Sequence, residues 1–148
     1  MIYNHILVPY DGSDLSQKAL FTALDYINMY DPKITVLNVE ESDTSKYMFL
    51  QAAQASGFGQ DPERTFEEGE VSEELIKDIE QTFGPIDGRF NVVQMTGKPD
   101  QVICEYVDSH NVDLIIMGCR GLGAVRAAFG SVSTAVLRGA NCPIFVIK

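Results

Sequence analysis

Tryptophan is absent from the 148 residues, and only two histidines and three cysteines occur. The cysteines, Cys104, Cys119 and Cys142, are odd in number and stand 15 and 23 positions apart. That spacing argues against a disulfide framework and against a zinc centre. Long apolar runs are missing as well. The longest, such as Leu114–Met117 and Ile144–Ile147, hold four residues, whereas a membrane helix needs about 20. The first residues show no basic stretch leading into an apolar one, so no signal peptide is read and a cytoplasmic location is expected. Positive charge is scarce: 11 Lys and Arg face 21 Asp and Glu, for a net charge of −10. So acidic a chain lacks the basic face that phosphate backbones and anionic lipids need, so neither nucleic acid nor a membrane is expected as a partner. With His5 read in a strand and His110 at a helix end, nothing resembles a catalytic triad. No paired-carboxylate or metal-ligand spacing stands out either. No catalytic residue and no metal ligand is assigned.

What is present is the composition of a globular domain, 45% hydrophobic and 22% charged, long enough for a core without disulfides. Residues 1–148 read as one domain. His5–Pro9 reads as a buried strand. A helix follows from about Asp14 to Met29, with Leu20, Ala23, Leu24 and Ile27 at helical spacing, and Asp31-Pro32 ends it. Lys33–Val39 is a second strand. Residues 40–70 form an acidic excursion without clean periodicity, with helix read over Lys46–Ala55. A helix from about Val71 to Phe83 stops at Gly84-Pro85. Phe90–Met95 is a third strand, and Gly97-Lys98-Pro99-Asp100 opens a helix with proline near its first position. Asp113–Met117 is a fourth strand, a run without alternation, as expected where helices cover both faces of a sheet. Ser131–Leu137 is a short helix, capped by Ser131 and stopped by Gly139, and Pro143–Ile147 is the last strand. Alternation of this kind predicts an α/β fold with a mainly parallel sheet between helical layers. Cys104 and Cys142 read as core residues, and Cys119 as either a small loop residue or a reactive thiol.

Ligands of such sheets bind beyond the carboxyl ends of the strands. The richest stretch there follows the fourth strand: Gly118-Cys119-Arg120-Gly121-Leu122-Gly123, then Gly130-Ser131-Val132-Ser133 at a helix start. Glycines let backbone N–H groups approach a ligand, and a helix's first turn offers unpaired donors with partial positive charge. Together they make an anion cradle, to which Ser131 and Ser133 add hydroxyls and Arg120 a full charge. From Gly118 to Lys148 there are four basic residues and no acid, whereas Glu40–Phe90 holds 13 acids and four bases. The stretch is neither Gly-x-x-x-x-Gly-Lys-Ser/Thr nor a complete dinucleotide fingerprint, since Gly121-Leu122-Gly123 has no third glycine. Asp11, after the first strand, has two readings: partner of a ribose hydroxyl or a metal-bound water, or maker of a local turn before Gly12-Ser13.

These residues resemble the universal stress protein family. The resemblance rests on His5-Ile6-Leu7-Val8-Pro9-Tyr10-Asp11-Gly12-Ser13, Thr35–Val39, Gly97-Lys98-Pro99, Asp113–Gly118, and Gly130-Ser131-Val132-Ser133 through Cys142–Ile147. It implies a Rossmann-like three-layer domain whose five parallel strands run in the order 3-2-1-4-5, and a homodimer joined through Ile144–Ile147. One branch of the family binds ATP and shows Gly, two residues, Gly, nine residues, then Gly-Ser/Thr. Here Gly118 and Gly121 are followed by eight residues before Gly130-Ser131, one fewer. Carried over by position, the resemblance places Asp11 at ribose and Val39 at adenine. Pro9 and Met117 line the pocket, and Gly118, Gly121, Gly130, Ser131 and Val132 hold phosphates. Arg120 joins them on charge alone. The implied function is a stress-response sensor or regulator that binds ATP, with Mg²⁺ accompanying the nucleotide and slow hydrolysis or none. The alternative is a dimeric interaction module of the same fold that binds no nucleotide and meets a protein partner. A phosphotransfer receiver is disfavoured, because the third strand ends in Thr96-Gly97 rather than an acid.

Overall fold

A computed structural model describes residues 2–41, 67–121 and 130–148. Among them the order of elements is β1 (His5–Pro9), α1 (Asp14–Tyr30), β2 (Lys33–Glu41), β3 (Glu67–Gly69), α2 (Glu73–Phe83), β4 (Asn91–Gly97), α3 (Pro99–Ser109), β5 (Leu114–Gly118), α4 (Ser131–Gly139) and β6 (Ile144–Ile147). The sheet order is β3-β4-β2-β1-β5-β6. All neighbours pair in parallel except β3, which runs antiparallel along β4, Glu67 opposite Thr96 and Gly69 opposite Gln94. The five parallel strands thus take the expected order 3-2-1-4-5.

Strand periodicity splits the core into two layers. Ile6, Val8, Ile34, Val36, Leu114 and Ile116 face one way, against Ala19, Leu20 and Ala23 of α1 and Ile79 and Phe83 of α2. Leu7, Leu37, Met95, Ile115 and Met117 face the other way, against α3 and Val136 of α4. With both faces covered, apolar residues point to both sides of the sheet, and each fully buried Ile or Leu contributes roughly 1.5–3 kcal/mol. Helix ends follow local chemistry. Ser13 caps α1 by accepting from Ser16 N–H at 3.3 Å. Ser72 caps α2 by accepting from Leu75 N–H at 3.2 Å. Asp31, with φ 49°, closes α1 in the left-handed region. Arg89 reaches back to the end of α2, its Nη2 donating to the carbonyls of Phe83 and Pro85 at 2.6 and 2.7 Å.

Three expectations change. Within the acidic excursion, Glu67–Gly69 is a strand; the helix read over Lys46–Ala55 lies outside the described residues. β2 and β4 run two residues further than their apolar patterns, through Glu41 and Gly97. Asn38, Glu40 and Gln94 are linked by side-chain hydrogen bonds there, which a hydrophobicity pattern does not register. Ser131 is the first helical residue of α4 and not its cap. Gly130 holds the N-cap position, with no side-chain cap bond, and its carbonyl accepts from Thr134 Oγ1 at 3.0 Å.

His5 is buried between β1's neighbours, with Nδ1 at 3.0 Å from His110 O and Nε2 at 2.9 Å from Thr35 Oγ1. Burial holds its pKa below the ordinary 6.5, against the opposing pull of the bond to His110. The unfolded chain therefore takes up a proton that folded His5 resists. Its contribution is intact above pH 6.5 and is lost as pH falls below that value. The urea midpoint is expected to fall less between about pH 7 and about pH 5 in His5→Asn than in the wild type. Equal falls would remove His5 as the cause.

Candidate functional site

The carboxyl ends of β1, β2, β4 and β5 lie along one edge of the sheet. β1 ends at half-buried Pro9, followed by Tyr10 and Asp11. Asp11 Oδ1 accepts from Ser13 N–H at 2.9 Å, so the carboxylate does make the local turn that leads into α1. It also faces the glycine-rich stretch: a Cβ placed on Gly121 would collide with Asp11 Oδ2. The turn reading of Asp11 is thus met by the Ser13 bond, and the structure brings Asp11 and Gly121 together.

Glycine is required at close approaches. A Cβ on Gly118 would lie 2.7 Å from Leu15 Cβ and 3.2 Å from the Leu15 carbonyl carbon. The end of β5 thus abuts the first turn of α1. A Cβ on Gly130 would lie 3.2 Å from Arg120 Cα. Cys119 ties these pieces together. Its N–H donates to Ile147 O at 2.8 Å. Its carbonyl accepts from Gly130 N–H at 2.8 Å and from Ser133 Oγ at 2.7 Å. Ser133 is buried and its hydroxyl donates to Cys119, so it is a brace for α4 and not the free ligand donor expected. Cys119 is the buried thiol of the three. Cys104 and Cys142, expected in the core, are only half-buried, and burial pushes both thiols' pKa up. A reactive Cys119 has no support from its burial.

The remaining predicted residues distribute as follows. Met117 is buried in the second core layer, with Val39 and Val132 packed partly buried against the same layer. Val39 pairs in register with Met95. Arg120 is half-buried, its Nη1 3.4 Å from Cys119 Sγ. Ser131 is exposed at the first position of α4. That first turn has no side-chain cap and no acidic residue, and Arg138 stands in the last turn. Among the described residues, no side chain caps its N–H groups at the positive end of the helix dipole. Gly123 and Arg126 lie outside the described residues. Among the described residues, no group of three His, Cys, Asp or Glu is placed to hold a metal, and no helix is long and apolar enough to cross a membrane.

Beside Asp11, the sequence reading missed a set of polar side chains. Tyr10 Oη donates to Asp78 Oδ2 at 2.9 Å, and Asn38 Nδ2 donates to Tyr10 O at 2.9 Å. Burial, then the bond to Asp78, pushes the Tyr10 phenol's pKa well up, so it stays protonated and remains a donor. The available signal was two amides, Asn38 and Gln94, inside otherwise apolar strands.

The profile of the universal stress protein family matches residues 2–148. The chain belongs to the universal stress protein family. A universal stress protein of Methanocaldococcus jannaschii is 29% identical over 148 residues, covering 99% of this chain and 83% of the relative. Universal stress protein YxiE of Bacillus subtilis is 26% identical over 153 residues, covering 99% and 100%. Solved structures of the family share the fold. One is a universal stress protein in complex with cAMP, with TM-score 0.61, 18% identity, and coverage of 100% and 98%. Another is the universal stress protein from Archaeoglobus fulgidus in complex with dAMP, with TM-score 0.58, 20% identity, and full coverage of both chains.

Proposed function

We propose that this universal stress protein binds ATP at the carboxyl edge of its sheet and acts as a nucleotide-responsive regulator in the cytoplasm. The observation that carries the reading is the uncapped, acid-free first turn of α4, beginning at Gly130-Ser131. A helix start of this kind favours a phosphate, and on this reading the Asp11 carboxylate, which lies against Gly121, accepts from ribose. Val39, Pro9 and Met117 supply the apolar wall for a base, with Val132 beside the phosphates and Arg120 adding charge. The cAMP and dAMP complexes of fold relatives support an adenine nucleotide as the ligand class. Mg²⁺ would arrive on the phosphates and keep most of its waters, with the Asp11 carboxylate as a candidate partner for one of them. No residue is assigned as a general base, so hydrolysis is expected to be slow or absent.

The same reading includes a homodimer through β6. Among the described residues that strand pairs with β5 alone, and Phe145 stands 45% exposed on it. Pairing across a two-fold axis would cover this apolar border. Sedimentation equilibrium should return twice the 16.4 kDa chain mass; a single-chain mass would remove this part.

A second reading has its own observation. Gly118 and Gly130 each have a packing reason to be glycine, a close backbone neighbour, and the Gly-Ser pair comes one residue early. On that reading the protein is an interaction module that binds no nucleotide, and a protein partner meets its dimer surface or its acidic segment. Equilibrium titration with ATP, with and without Mg²⁺, separates the two. Saturable binding below about 1 mM, roughly −4 kcal/mol, supports the nucleotide reading. Its absence, together with no adenine nucleotide co-purifying with the protein, supports the interaction module.

A further inference from the structure

Three hydrogen bonds fix Tyr10, the residue that leads into Asp11. Its N–H donates to Leu37 O at 2.8 Å. Its carbonyl accepts from Asn38 Nδ2 at 2.9 Å, and its hydroxyl donates to Asp78 Oδ2 at 2.9 Å. Asn38 is itself held, since its Oδ1 accepts from Gln94 Nε2 at 3.1 Å. Gln94 Nε2 also donates to Glu40 Oε1 at 3.0 Å, and Gln94 Oε1 accepts from Ser72 N–H at 2.8 Å. Ser72 caps α2, the helix that carries Asp78. The bonds therefore close a ring from Tyr10 through Asn38, Gln94, Ser72, α2 and Asp78 back to Tyr10. Gln94 is 7% exposed and Tyr10 3%. Buried amides are costly unless paired, and each polar atom of these two amide side chains has a partner here.

The ring ends on the residue before Asp11. Asp11 Oδ1 is spoken for by the Ser13 N–H, and Oδ2 lies against Gly121. Where that carboxylate points depends on where the Tyr10–Asp11 backbone is held. We propose that Asn38 and Gln94 are positioning residues that clamp the Tyr10–Asp11 turn and so aim the Asp11 carboxylate at the ribose hydroxyls of a bound nucleotide. The proposal rests on the nucleotide reading of the site and adds to it the source of ribose selectivity.

The test compares ATP with 2′,3′-dideoxy-ATP by titration calorimetry on the full chain. Asn38→Asp keeps the side chain's shape and the acceptor for Gln94, but replaces the donor facing Tyr10 O with an acceptor. Tyr10→Phe removes only the hydroxyl that reaches Asp78. Wild-type protein should prefer ATP over the dideoxy analogue, and Asp11→Ala should erase that preference. Asn38→Asp should weaken ATP about tenfold while leaving the dideoxy analogue within about twofold, and Tyr10→Phe should move the same way by about threefold. In the Asp11→Ala background, Asn38→Asp should add nothing. An equal fall for both nucleotides, or an unchanged preference, overturns the clamp while the nucleotide reading stands. Wild-type binding of neither nucleotide overturns the nucleotide reading and the clamp with it. If Asn38→Asp does not fold, Tyr10→Phe decides on the same criteria.

Discussion

Ser131→Asp is expected to abolish ATP binding while leaving the fold slightly more stable. Ser131 is exposed at the first position of α4, where Gly130 offers no capping side chain and no acid stands in the first turn. A carboxylate at this place meets the positive end of the helix dipole, worth about 0.3–1 kcal/mol at an exposed site. The same carboxylate occupies the donors that a phosphate would use and repels it. Two unit charges about 4 Å apart interact by about 4 kcal/mol at the effective dielectric of a protein surface. Affinity should fall at least about 100-fold, or roughly 2.7 kcal/mol. Calorimetric titration gives the binding change and thermal unfolding gives the stability change. Retained ATP binding would mean that phosphates sit elsewhere. A loss of stability would mean that Ser131 serves the fold.

Gly118→Val should act in the opposite way, through the fold. A Cβ there meets Leu15 Cβ at 2.7 Å and the Leu15 backbone at 3.2 Å, with Arg120 O at 3.3 Å. No flexible side-chain tip is available to give way, so α1 and the end of β5 must separate. Overpacking of this kind costs about 3 kcal/mol, read as a lowered urea midpoint with an unchanged slope. A midpoint within error of wild type would show that α1 does not rest on β5 as described. Gly121→Ala is the informative contrast. Its new Cβ meets the far end of the Asp11 side chain, which can swing aside, so stability should hold while the ribose contact is lost.

The parallel core was legible because it is covered on both faces. His5–Pro9 and Asp113–Met117 are read as strands from their short apolar runs, and the structure has them at His5–Pro9 and Leu114–Gly118. Ser13 and Asp31-Pro32 mark the ends of α1 by cap and turn chemistry. What escaped is held by hydrogen bonds and not by apolar burial. The last two residues of β2 and of β4 lie among polar side chains, Asn38, Glu40, Gln94 and Thr96, whose partners are 54 or more positions away where they bond one another. β3 is three residues, two of them acidic, and nothing in Glu67-Glu68-Gly69 signals a strand. It exists because the edge of β4 offers backbone groups to pair with. At the carboxyl end of the sheet, the glycine and serine pattern pointed to residues that the structure gathers, Gly121 against Asp11 and Gly130 against Arg120. It could not show that the Ser133 hydroxyl is turned inward to Cys119 or that Gly130, and not Ser131, sits at the cap. Both depend on where β5 ends in space relative to α4.

The two borders of the sheet are unlike, and that asymmetry sets a valence. On one side the border is β3, three residues long and opposed in direction to its neighbour. On the other it is β6, four apolar residues parallel to β5. A subunit that adheres only by its β6 border is monovalent. In the proposed homodimer that border would be used up once two copies had met, and among the described residues no second apolar border strand would remain to extend a filament.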